Sequence, residues 1–166
     1  MKRKDLPFRK NCEGYFISED GKVLAIDTGG SFLGFPGGGI DEGESIEQGI
    51  LRETREETGA IIKNLKNVKV IRFVWDEDWA KTEKQKKRYN YFQGEEMHLF
   101  VGEVDEFIEP EKKDEDYWEC DKLMKISDAI RFIESTKPFS DDMKEYRKCQ
   151  IRFLKLLGEF NFQKQF

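Results

Sequence analysis

Apolar positions change period along the chain, and each change predicts an element. Gly14-Tyr15-Phe16-Ile17 and Val23-Leu24-Ala25-Ile26 are short apolar runs separated by Glu19-Asp20-Gly21-Lys22. That is two strands around a turn of hairpin chemistry, the second strand apolar enough to be buried. Residues 27–31 form a loop with two glycines, and Phe32-Leu33-Gly34-Phe35 leads into Pro36. From Ser45 the period becomes helical: Ile50, Leu51, Thr54 and Thr58 fall on one arc, and Ser45 with Gln48 has the form of a capping box. Ile61-Ile62 and residues 68–75 return to strand alternation. Residues 76–88 are polar and charged, a long loop or short helix over one end of the sheet. Residues 89–104 are the longest β pattern, with Met97, Leu99 and Val101 on one face and His98 and Phe100 on the other; Gly94-Glu95-Glu96 interrupts it as a bulge. Tyr117-Trp118-Glu119-Cys120 reads as a further strand. Ser127 caps a helix over 128–134 with Ile130 and Ile133 inward. Pro138 breaks the chain, and Ser140 or Asp141 caps a terminal helix over about 140–158, with Gly158 fitting its end. Met143, Tyr146, Phe153, Leu154 and Leu157 give this helix an apolar face, for packing on the domain or for a dimer contact. Phe160, Phe162 and Phe166 extend that surface.

Composition narrows the class. The 166 residues suit one domain with a real core. Fourteen Phe, five Tyr and three Trp argue against disorder. With 29 Lys and Arg against 34 Asp and Glu, the net charge is -5, which argues against a general nucleic-acid-binding surface. An acidic enzyme acting on polyanions must recruit cations to approach them. Cys12, Cys120 and Cys149 lack metal-ligand spacing and read as free thiols of a reducing compartment, with cytoplasm as the expectation. No apolar run follows the basic start, and no stretch has the length of a membrane span.

The chemistry concentrates in residues 38–60, where Gly38-Gly39-Ile40-Asp41-Glu42-Gly43-Glu44 runs into a helix ending Arg52-Glu53-Thr54-Arg55-Glu56-Glu57-Thr58-Gly59-Ala60. Like charges at i,i+4 each cost a few tenths of a kcal/mol, and acids near a helix C-terminus oppose its dipole, so something positive should offset them. Glu53, Glu56 and Glu57 share one face, Glu53 and Glu57 being about 40° apart around the axis. Arg52 sits four residues before Glu56 and can hold it. One face packs and the next presents carboxylate oxygens, which is what a hard divalent cation binds, Mg²⁺ in particular together with substrate phosphates. The glycines let backbone groups come close to an ion or a phosphate.

This stretch resembles the Nudix box, G-x5-E-x7-R-E-U-x-E-E-x-G-U with U a bulky apolar residue. It matches at Gly38, Glu44, Arg52, Glu53, Glu56, Glu57 and Gly59, and departs at the two packing positions, Thr54 and Ala60. The resemblance implies an α/β/α sandwich with a mixed sheet, compatible over about 10–135, with the C-terminal helix as an addition to it. It implies Mg²⁺- or Mn²⁺-dependent hydrolysis of a diphosphate linkage in a nucleoside diphosphate derivative. Glu53, Glu57 and the Gly38 carbonyl would hold metal, with Glu56 facing it while paired to Arg52. The general base would be Glu53 or a carboxylate from the acidic loop 109–116, Glu115 being the candidate.

Substrate contacts come from elsewhere. Lys81, Lys84, Lys86, Lys87 and Arg88 form a basic segment in an acidic chain. Lys84 and Arg88 are candidates for substrate phosphates, and Trp75, with Trp79, for stacking on a base. The plainer reading is a solvated loop anchored by one tryptophan. Family markers for ADP-ribose, NADH and dinucleoside polyphosphates are missing, which leaves a (d)NTP pyrophosphatase, oxidised nucleotides included, as the expected activity. A dinucleoside polyphosphate or RNA 5′-end hydrolase is the alternative, the RNA end being the one nucleic-acid partner considered. A third reading is a non-catalytic nucleotide sensor that contacts a partner through the terminal helix; the protein itself is expected to be a monomer or homodimer.

Overall fold

The computed structural model describes residues 1–110, 112–113, 115–137 and 141–159. In chain order the elements are β1 (Phe8–Ile17), β2 (Lys22–Leu24), β3 (Ile26–Asp27), β4 (Leu33–Gly34), β5 (Gly37–Gly39), α1 (Ile46–Thr58), β6 (Ala60–Val74), α2 (Glu83–Tyr91), β7 (Gly94–Phe107), β8 (Leu123–Lys125), α3 (Ile126–Ser135) and α4 (Asp141–Glu159). The main sheet runs β6-β7-β1-β2-β8, with β5 also pairing β1, and β3 and β4 form a separate ribbon. β1 and β7 are parallel, with Phe8 opposite Gly94 and Ile17 opposite Glu103. Every other pairing is antiparallel. The sheet is therefore mixed, as the box resemblance implied.

Strand alternation explains the layers. Even-numbered side chains of β1, Cys12 and Phe16, pack with Phe100, Leu24 and Ala60 against Ile50 of α1. Odd-numbered ones, Tyr15 and Ile17, pack with Leu99 and Ile71 under Ile133 of α3 and Phe153, Leu154 and Leu157 of α4. Successive β residues point to opposite faces, so one central strand serves both layers. Each fully buried large apolar side chain contributes roughly 1.5–3 kcal/mol. The terminal helix thus covers one sheet face, the first of the two roles its apolar stripe allowed.

Several boundaries differ from expectation. Residues 89–91 are helical, because Thr82 and Gln85 close a capping box and the Arg3 guanidinium donates to the carbonyls of Tyr89 and Phe92 while lying over the Tyr89 ring. Gly94 opens β7 and is no bulge; a Cβ there would fall 1.9 Å from the Phe73 carbonyl oxygen. The irregularities lie in β6 instead, around Ile61/Ile62, Lys63/Lys66 and Asn67/Lys69. Residues 23–26 split, since Ile26 leaves the main sheet to pair with Gly34. Residues 117–120 form no strand; Trp118 N–H instead donates to the Glu57 carbonyl at 2.8 Å. α3 begins after Lys125, without a side-chain cap, and Ser127 lies inside it. Gly158 continues α4. Pro138, Ser140, Phe160, Phe162 and Phe166 fall outside the described residues.

Because α4 contributes to the sheet-face core, thermal unfolding should be a single transition. Leu154→Ala should cost about 2–5 kcal/mol. Two separate transitions, or an unshifted one, would make the helix an appendage.

Candidate active site

α1 is framed at both ends by its own sequence. Ser45 accepts from Gln48 N–H at 3.1 Å, and Gln48 Oε1 accepts from Ser45 N–H at 2.8 Å. Gly59 ends the helix at φ 76°, a left-handed value that favours glycine. Thr54 and Thr58 are fully buried, and their hydroxyls donate back to the carbonyls of Ile50 and Thr54, so threonine serves at these packing positions with no stranded polar atom.

Arg52 is the hub. Its guanidinium donates to Glu44 at 2.8 and 2.9 Å, to Glu53 and Glu56 at 3.1 Å each, and to the Gly39 carbonyl at 3.0 Å. The expected Arg52–Glu56 pair is present, but the closest bonds are to Glu44, eight residues earlier. Those bonds, with the Asp41 N–H, hold the Glu44 carboxyl down at about 2. The arginine therefore fastens the glycine-rich segment to the acidic face of the helix.

The remaining acids sit under opposing influences. Burial pushes the Glu57 carboxyl up to about 8, although it accepts from Gly37 N–H at 2.8 Å; the charges of Glu53 and Asp116 add to the rise. Burial also raises Glu53, against the pull of Arg52. The Glu53 carboxylate lies directly against Gly38, where an added Cβ would come within 2.6 Å of it. Any side chain at 38 would occupy the space between carboxylate and backbone. Among the described residues no three acidic, His or Cys side chains converge in metal-holding geometry. Glu53 and Glu57 with the Gly38 carbonyl supply hard oxygen donors, and Mg²⁺ needs only one or two carboxylates when waters and phosphates complete its shell.

The other expected residues are more spread. Glu115 borders a recess of about 660 Å³ with Arg55, Glu56, Lys112 and Lys113. The loop carboxylate whose charge reaches Glu57 is its neighbour Asp116. Trp75 is buried and stacked on Trp79, centroids 3.7 Å apart and planes 4° apart, so one of its faces is already covered. Lys84 is exposed on α2. Arg88 is partly buried; that burial and the charge of Arg9 lower its pKa, while Glu95 raises it.

Three contributors were missed by sequence reasoning. Cys12, 1% exposed, donates its Sγ–H to the Gly38 carbonyl at 3.3 Å. The strand read from the sequence begins at Gly14, two residues after it, so nothing there marks an inward thiol. Arg9 pairs with Glu95 at 3.1 Å and its guanidinium lies against Gly39. Trp118 ties the 115–118 loop to the end of α1.

Comparisons with known proteins agree with this architecture. An RNA pyrophosphohydrolase of Sphingopyxis alaskensis is 43% identical over 58 residues, 32% of this chain and 36% of that protein, so the match spans little more than a third of the relative. A NUDIX hydrolase from Nitrosomonas europaea has a similar structure, with a TM-score of 0.55 at 19% identity over 86% of this chain and 90% of that one. The E. coli dihydroneopterin triphosphate pyrophosphohydrolase gives 0.55 at 15% identity over 90% and 99%. At such identities the two structures speak for the fold alone. The NUDIX domain family itself matches residues 11–146, the glycine segment, α1 and the sheet apart from the first three residues of β1, and the chain belongs to that family.

Proposed function

We propose that the protein hydrolyses a phosphoanhydride bond in a nucleoside diphosphate derivative, with Mg²⁺ or Mn²⁺ held by Glu53, Glu57 and the Gly38 carbonyl. The observation that carries this reading is the convergence of Glu53 and Glu57 on the Gly37-Gly38 backbone, with Arg52 fastening both sides. The bound cation would neutralise phosphate charge and make the attacking water more acidic. The chain's own residues do the rest. Glu56, half-released to solvent beside Arg52, faces the same side. A carboxylate takes the proton of the attacking water as its oxygen bonds to phosphorus and the anhydride P–O bond breaks. Glu53 is one candidate for that base. The 115–116 loop is the other, with Asp116 favoured over Glu115 by its influence on Glu57.

Substrate follows from what surrounds these acids. Arg9 beside Gly39 and Arg88 beside Arg9 offer two guanidinium groups with one shared carboxylate, Glu95, which suits the outer phosphates of a triphosphate. A (d)NTP pyrophosphatase, oxidised nucleotides included, is the reading we favour. The 58-residue likeness to an RNA pyrophosphohydrolase favours a 5′-triphosphorylated RNA end as the second. Release of pyrophosphate from NTPs, dNTPs, 8-oxo-dGTP or triphosphorylated RNA, abolished by EDTA, is the expected result. Turnover of none of them would overturn both readings.

Glu57→Gln should abolish turnover while leaving the fold intact, with an unfolding temperature that matches wild type at pH 5, where Glu57 is protonated. Arg52→Ala should lower metal affinity or activity about 10–100-fold, as loss of an orienting partner does. Asp116→Asn should lower turnover more than Glu115→Gln does; the reverse order would return the loop role to Glu115.

Cation binding should also release protons. A carboxyl raised to about 8 is largely protonated at pH 7, and ligation requires the ionised form. Calorimetric Mg²⁺ titrations in buffers of different ionisation enthalpy should show release at pH 7 that fades above pH 9. A raised carboxyl contributes its stability fully below the unfolded value near 4.5 and loses it as pH climbs through 8. In EDTA the unfolding temperature should therefore fall between pH 5 and 8, and Mg²⁺ should reduce that fall.

A further inference from the structure

The face of β1 under α4 turns polar along its first half. Ile17 and Tyr15 belong to the core, but Glu13, Asn11 and Arg9 precede them in the same row. Burying such groups in a central strand is costly unless they are used or satisfied. Arg9 and Asn11 both donate to Glu95 of β7. Glu13 is different: among the described residues no lysine or arginine pairs with it. Its donors are the hydroxyls of Tyr15 and Tyr146 and, at 3.5 Å, the Gln150 amide.

Glu13 lies deep, yet it keeps accessible surface where it borders a cavity of about 180 Å³ between the sheet, α3 and α4. Phe32, Leu33, Phe132 and Tyr146 supply apolar and aromatic walls. The volume is below the usual range for a drug-sized ligand and suits one flat ring system. A carboxylate offers about four lone-pair sites, and with the Gln150 bond at the limit of hydrogen bonding, acceptor capacity remains on the cavity side.

The cavity stands one strand away from the acidic face of α1. Glu13 is the partner of Gly37 in the β1–β5 ladder, and Gly37 N–H donates to Glu57. Arg9, two side chains back in the row, lies against Gly39. Gly38 pairs with Cys12, next to Glu13, so phosphates at the Gly38 edge and a base beside Glu13 lie on adjoining rungs of one ladder.

We propose that this cavity is the base subsite and that Glu13 reads the base, selecting one whose edge presents two adjacent N–H donors, guanine among the common bases. This rests on the nucleotide reading above. Two such donors add to the Tyr15, Tyr146 and Gln150 bonds and offset the burial and the Glu95 charge that raise the Glu13 carboxyl. The plainer role for Glu13 is an anchor for α4 through Tyr146 and Gln150.

The test is nucleoside binding in EDTA, followed by NMR, which needs neither cation nor hydrolysis. Wild-type protein should bind guanosine roughly tenfold to a hundredfold more tightly than adenosine, the discrimination a good bidentate contact gives. Glu13→Gln should bring the two within about threefold. Tyr146→Phe, which removes an anchoring hydroxyl and leaves the carboxylate, should keep the preference. Equal binding of both nucleosides by wild type overturns the subsite without recourse to any variant. A preference unmoved by Glu13→Gln overturns the role of Glu13, as does an effect of the two variants on unfolding temperature alone. Wild type that binds guanosine preferentially but cleaves no nucleotide leaves the subsite standing and removes the hydrolase reading instead.

Discussion

One arginine makes the acidic helix possible. Without Arg52, Glu44, Glu53 and Glu56 would face one another across a few ångströms, and Glu53 and Glu57 would add to the strain at a helix end that already repels negative charge. Its hydrogen bonds reach three carboxylates and one backbone carbonyl. Charge-assisted bonds of this kind are worth about 1.5–3 kcal/mol each when desolvated, and the Arg52 side chain is only 20% exposed. What they secure is a fixed relation between two pieces of chain, the glycine strand β5 and α1. That relation decides which oxygens look at the same point.

The charge Arg52 leaves uncompensated is what gives the site its chemistry. It quiets Glu44 and partly Glu53, but not Glu57, which burial and its acidic neighbours push up to about 8. A group held that far from its ordinary value, on a helix face beside the Gly38 carbonyl, is stabilised by a divalent cation. Such perturbed acids cluster where proteins bind and react. The rest of the molecule supports the arrangement at a distance: the β1 ladder holds β5, Cys12 steadies the Gly38 carbonyl, and Trp118 clasps the end of α1. Among the described residues no helix is long and apolar enough to cross a membrane.

Much of this could be read from residues alone, and the reason is locality. α1 is set by a capping box, a helical apolar arc and a terminal glycine, all within fourteen residues of one another, and the structure has each of them, except that Leu51 lies exposed and Gly49 takes its place on the packed face. The layered mixed sheet followed from the family the box resembles. What escaped was decided by contacts distant in sequence. The β pattern at 89–91 is overridden by Arg3, 86 residues away from Tyr89. β5 reads as a glycine loop, yet it is a strand because β1 lies close enough that a Cβ at Gly37 would meet the Cys12 carbonyl oxygen. Asp116 and Glu115 are indistinguishable in an acidic run, and what separates them is the charge of Asp116 acting on Glu57. Arg9 and Glu13 precede the strand read at Gly14, and their shared face became visible once β1 was seen to begin at Phe8.

The central claim is that Glu53, Glu57 and the Gly38 carbonyl form one cation site. Anomalous scattering from crystals soaked in Mn²⁺ tests it directly. The account predicts a manganese peak within bonding distance of both carboxylates and the carbonyl oxygen. Peaks confined to other acidic residues, with Glu53 still on Arg52 and Glu57 still on the Gly37 amide, would contradict it.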